Sequence, residues 1–153
     1  MLSELPPWQR LFLSIGAGCL VLHLGIRVFD TRIELFTGLS TFNLKWAMVM
    51  FVMPFVSGVV VSLLYGLGGK IICYFPPLIV HALSYADTLY LSGVPQGASL
   101  TPLGWWGFFV VIVIESAAIG GVFGEIWLKK TYGRKSIVNP ADDSRHDPFA
   151  DRH

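Results

Sequence analysis

Few side chains in this sequence could do chemistry, and most of those lie inside long apolar runs. His81 and Glu115 fall near the middle of two such runs, with Asp87 and Glu125 elsewhere in those two and His23 in a third. Ionisable groups are costly in an apolar medium and normally face protein or water. At similar depth, His81 and Glu115 could pair as a proton-relay or cation site between two helices. A structural hydrogen bond holding those helices together is the simpler account of the same pair.

At 100° per residue, His81 relates to Ser84 and Tyr85 by three and four positions, so the three share one helical stripe. Tyr74 and Thr88 extend that stripe, while Asp87 points about a third of a turn away. Pro76-Pro77 should bend or loosen the helix near its start. Around Glu115, the pairs Ala117/Gly121 and Gly120/Gly124 have the small-xxx-small spacing that lets another helix approach closely. His23 and His81 offer two imidazoles from different helices, as axial ligands of haem b would, with Gly16 and Gly25 leaving room for a macrocycle. A metal centre from His81, Asp87 and Glu115 is disfavoured because the side chains do not converge. Asp30, Arg32 and Glu34 read as a solvated loop cluster.

The elements that must position these groups are four apolar stretches, at about 11–29, 46–67, 71–91 and 103–128. Each is about as long as the ~20 residues that an α-helix needs to cross a bilayer, or longer, and helix is the economical way to satisfy a backbone in lipid. The expected fold is all-α, a polytopic membrane protein built as a bundle of four transmembrane helices. Composition agrees: of 153 residues, 54% are hydrophobic and 14% charged, against about 25% charged in soluble domains. Mean hydropathy is +0.62. The two cysteines, Cys19 and Cys73, form no CxxC pair, and a net charge of +1 gives no global field for nucleic acid.

Met1 to Arg10 carries Glu4 as well as Arg10 and precedes no A-x-A site, so the first stretch reads as a retained helix. Lysines and arginines are more numerous on the side that holds both termini, which makes that side cytoplasmic. A bacterial inner membrane fits this pattern. The loop from Asp30 to Leu44 is either an interfacial amphipathic piece or an ordinary ordered loop, and Ser92 to Pro102 reads as irregular. Gly66, Gly68 and Gly69 form a tight connection between the second and third spans. Trp8, Trp46, Trp105, Trp106, Trp127 and Tyr132 are candidate interface anchors. Residues 129–153 form a polar tail, in which NPADDSRHDPF could serve as a docking peptide.

There is no P-loop, H-E-x-x-H, G-x-S-x-G or dinucleotide fingerprint, so an enzyme ranks last among the broad classes. The leading expectation is a small accessory or structural subunit of a larger membrane complex. Its partners would be the bilayer and either other membrane subunits or copies of itself. The alternative is a small proton- or cation-coupled transporter or channel, working as an oligomer through His81 and Glu115. A haem b electron-transfer subunit is the lesser alternative.

Overall fold

A computed structural model describes residues 6–132; the proposed docking peptide and the rest of the tail beyond 132 lie outside the described residues. The chain is mostly helical. Helix α1 spans Pro7–Phe29, α2 Leu44–Tyr65, α3 Gly69–Ile72, α4 Phe75–Asp87 and α5 Leu103–Tyr132. Three of these, α1, α2 and α5, are long and apolar enough to cross a membrane. The third expected span is instead broken: α3 and α4 are separate helices, with Cys73 and Tyr74 between them. Pro76 and Pro77 explain the break, because neither has an N–H to bond back to the residue four before it and each ring crowds that carbonyl. At its far end α4 widens into a π turn over Thr88–Ser92.

Local signals set the helix ends. Pro7 opens α1, where a missing N–H costs nothing, and Asp30 closes it in the left-handed region at φ 47°. Asn43 caps α2 by accepting from the Trp46 N–H at 2.9 Å. A π turn over Met48–Val52 precedes Pro54, the usual relief for a proline inside a helix. The Ser116 hydroxyl of α5 donates to the Phe51 carbonyl in that widened turn, at 2.7 Å.

In lipid, apolar contact alone does not drive helices together; close packing and hydrogen bonds between them do. Here α2 and α5 meet at their backbones. A Cβ added at Gly58 would collide with the Ala117 carbonyl, and one at Gly120 with the Phe55 carbonyl. At Gly124 it would fall 2.7 Å from Ser62 Cβ, and at Gly121 2.6 Å from Cys73 Sγ. The small-residue face of Ala117, Gly120, Gly121 and Gly124 is thus occupied within the chain, by α2 and by the α3–α4 break. Helix α1 joins through its own buried stripe of Ser14, Gly18, Leu22 and Gly25, and the Ser57 hydroxyl donates to the Gly18 carbonyl at 3.0 Å.

Two apolar clusters lie either side of this contact. One gathers Ile33, Val49, Met50, Val110 and Val113, the other Val61, Ile72 and Cys73. Outward, the helices expose large apolar side chains such as Phe12, Val28, Leu63 and Phe108, as a lipid-facing surface would. Trp8, Trp105 and Trp127 are exposed near helix ends. Trp46 and Trp106 are not free anchors: both pack against the first cluster.

The loops are more ordered than their composition suggests. A two-stranded antiparallel ribbon joins β1 (Leu35–Phe36) to β2 (Ser99–Leu100), pairing Leu35 with Leu100 and Phe36 with Ser99. It clasps the first loop to the third. The last helix runs on through Lys129 and Lys130, beyond the expected end of the span.

Because backbone carbonyls cannot yield as a flexible side chain can, Gly120→Ala should destabilise the fold by about 1–3 kcal/mol. Gly16→Ala, whose Cβ would meet nothing within 4 Å, should be neutral or stabilise by up to ~1 kcal/mol. Thermal unfolding midpoints in a mild detergent test this; equal midpoints for the two variants would refute the backbone contact.

Candidate functional site

The most unusual group in the molecule is Glu34, which belongs to a loop yet is 0% exposed. It therefore departs from the expected solvated cluster. The reason is local: the ribbon and the Thr101 N–H, which donates to the Glu34 carbonyl at 2.8 Å, fold the loop inward beside the buried Ile33. The Glu34 carboxylate then faces α4. Its Oε1 accepts from the Ser84 hydroxyl at 2.5 Å and from the Thr88 hydroxyl at 3.4 Å, while Oε2 is buried without a partner among the described residues.

Of the expected polar stripe of α4, Ser84 and Thr88 face Glu34. Ser84 and Thr88 bond the carboxylate directly. His81, one turn earlier, is 1% exposed, and both ring nitrogens are buried without a hydrogen-bond partner among the described residues. Tyr85 turns toward α5: its ring lies 4.8 Å from that of Trp106 and its hydroxyl donates to the Thr101 carbonyl at 3.4 Å. Tyr74 does not share the stripe. It sits in the break before α4 and is exposed, whereas His81 is buried.

Asp87 turns away from His81, as its position on the helix requires, and meets the first loop. Arg32 approaches Asp87 Oδ2 at 3.5 Å and the Thr88 hydroxyl at 3.3 Å. The Ser92 hydroxyl donates to Asp87 at 2.7 Å. This half-exposed ion pair contributes little stability by itself, but it closes the outer end of a cleft between α1 and α4. The cleft measures about 640 Å³. Gly16, Leu20, Ile79, Val80 and Leu83 wall its deeper part, and His23, Arg27, Asp30, Arg32, Ser84 and Asp87 its outer part.

His81 and Glu115 are not brought together. His81 is buried without a hydrogen-bond partner among the described residues, whereas Glu115 lies on the exposed face of α5. A relay between them has no direct contact to run through. Nor do His23 and His81 share a cavity: His23 is exposed and lines the cleft, and His81 does not. Among the described residues, no three His, Cys, Asp or Glu side chains gather as metal ligands.

Glu125 has a structural role at the opposite end of the bundle. Its Oε1 accepts from the Gly68 N–H at 2.8 Å and the Lys70 N–H at 3.4 Å, capping the start of α3. Gly66 and Gly68, at φ 94° and 93°, make the tight turn that presents those donors. Arg10 answers across the same end: its guanidinium donates to the Tyr65 carbonyl, the last of α2, where a cation also meets the negative end of the helix dipole.

Removing the buried carboxylate takes the acceptor from the Ser84 hydroxyl, while Thr88 keeps the Ser84 carbonyl at 3.0 Å, so Glu34→Ala should cost about 1–3 kcal/mol. Asp30→Asn, on the exposed end of α1, should stay within about 0.5 kcal/mol of the parent. Unfolding midpoints read the difference, and similar values for both would place Glu34 in solvent after all.

Comparison with known proteins finds no matching protein family, curated protein or solved structure.

Proposed function

We propose that this chain is a small integral-membrane subunit that works within a larger membrane assembly, crossing the bilayer four times. Helices α1, α2 and α5 supply three crossings, and the broken segment 69–92 supplies the fourth. A helix interrupted at membrane depth is tolerated where protein surrounds the break, and Cys73 is buried against Gly121 there. On this reading both termini face the cytoplasm of a bacterial cell.

The observation that carries the proposal is the position of Glu115. It lies on the exposed stripe of α5, with Val111 and Phe108 before it and Ile119 and Val122 after it, all exposed. A charged side chain left at the bilayer centre costs about 3 kcal/mol or more. A neighbouring transmembrane helix that donates a hydrogen bond to this carboxyl removes the penalty and makes Glu115 a recognition point. The Gly/Ala face cannot play that part, because it is already packed inside the chain. The cofactor-bearing and ion-translocating alternatives draw less support, since their key residues do not meet.

Glu115→Leu should abolish a stoichiometric partner in gentle-detergent purification while raising the unfolding midpoint of the isolated chain. A photo-crosslinking residue at Val111 or Ile119 should trap that same partner, or a second copy of this chain, in the native membrane. Purification as a monomer with no crosslink, unaffected by Glu115→Leu, would overturn the assignment.

A further inference from the structure

We propose that the cleft between α1 and α4 holds one glycerophospholipid with a zwitterionic, primary-amine headgroup. The case rests on the order of chemistry along the cleft. On α1 the lining positions Gly16, Leu20, His23, Arg27 and Asp30 fall three or four residues apart along one stripe, with Cys19 and Ile26 lining the cleft beside it. Read from the middle of the helix outward, that stripe is apolar, then imidazole, then cationic, then anionic. A glycerophospholipid has the same order from the bilayer core to water: acyl chain, ester and glycerol oxygens, phosphate, ammonium.

The opposite wall repeats the gradient. Ile79, Val80 and Leu83 of α4 face the apolar part, Ser84 the next level, and Asp87 the outermost. Arg27 is exposed and makes no ion pair or hydrogen bond among the described residues, so its guanidinium is available to a phosphate. Guanidinium groups grip phosphate oxygens with paired donors. Asp30 stands three residues further out, where an ammonium would lie. Arg32 and Asp87 already neutralise each other, which leaves Arg27 and Asp30 as the charges that select the headgroup. A purely anionic lipid would satisfy Arg27 but set its charge against Asp30.

Gly16 makes the deep end wide. A Cβ there would meet nothing within 4 Å, so a larger side chain can fill the acyl region without disturbing the fold. Asp30 is equally open to change, because its left-handed backbone at φ 47° is one that asparagine also accepts. The proposal does not depend on the assembly partner at Glu115, which lies on another helix.

The full-length protein should be reconstituted in nanodiscs of equal phosphatidylethanolamine and phosphatidylglycerol, released into mild detergent, and its retained lipid counted by native mass spectrometry. Wild type should keep one phosphatidylethanolamine in preference to phosphatidylglycerol. Asp30→Asn should reduce that preference by about three- to fivefold, the worth of one partly exposed charge contact. Arg27→Gln should lower retention of both lipids, and Gly16→Leu should abolish it while helix content by circular dichroism stays unchanged. Equal or greater retention of phosphatidylglycerol by wild type would overturn the proposal. So would a preference unmoved by Asp30→Asn, or full retention in Gly16→Leu.

Discussion

Backbone contact between α2 and α5 is the constraint on which the rest of this structure depends. In lipid, two helices gain by approaching only as far as their surfaces interlock, and here Gly58 and Gly120 let each helix reach the other's carbonyls. That approach has consequences on both sides. It brings Gly121 against Cys73, which seats the α3–α4 break, and Gly124 against Ser62. It also aligns Ser116 with the widened turn of α2, whose Phe51 carbonyl it satisfies. A helix pair held further apart would leave that carbonyl without its donor and the break without its cover.

The carboxylates then sort by what the bundle offers them. Glu125 finds two backbone N–H groups at the start of α3. Glu34 finds two hydroxyls on α4. Each is buried, and each ties a loop or turn to a helix that it would otherwise only flank. Glu115 finds no such partner among the described residues and faces outward from an apolar stripe. The same chemical group thus serves as a cap, a loop anchor and an unmatched surface feature, and only the last asks for something from outside the chain.

Much of the helical plan was legible from hydropathy: three of the four apolar stretches are helices long enough to span a bilayer. Pro76-Pro77 signalled weakness in the remaining one, but not that it would part into two helices and release Tyr74 from the stripe. The small-residue spacing on α5 indicated close packing without naming the partner, because a glycine face does not specify what meets it. Glu34 was placed in solvent, whereas it is buried. Its sequence surroundings, with Asp30 and Arg32 close by, are those of a solvated loop, and its burial depends on a ribbon between β1 and β2, sixty-odd residues apart. The period of α4 put Ser84 and Thr88 on one stripe, and both meet Glu34; what the stripe would face was a property of the tertiary fold.

Glu34 and the cleft share a wall, and this links the interior to the surface. Ser84 lines the cleft while its hydroxyl is committed to the buried carboxylate. Arg32, at the cleft mouth, reaches both Asp87 and the Thr88 hydroxyl that also contacts Glu34. The outer turn of α4 is therefore held from within by the loop that carries Glu34 and from outside by the arginine two residues before it. A groove with one wall pinned in this way keeps its shape before anything enters it. Preorganisation of that kind lowers the ordering cost of binding, and here it comes from burying a carboxylate where the sequence would have put it in water.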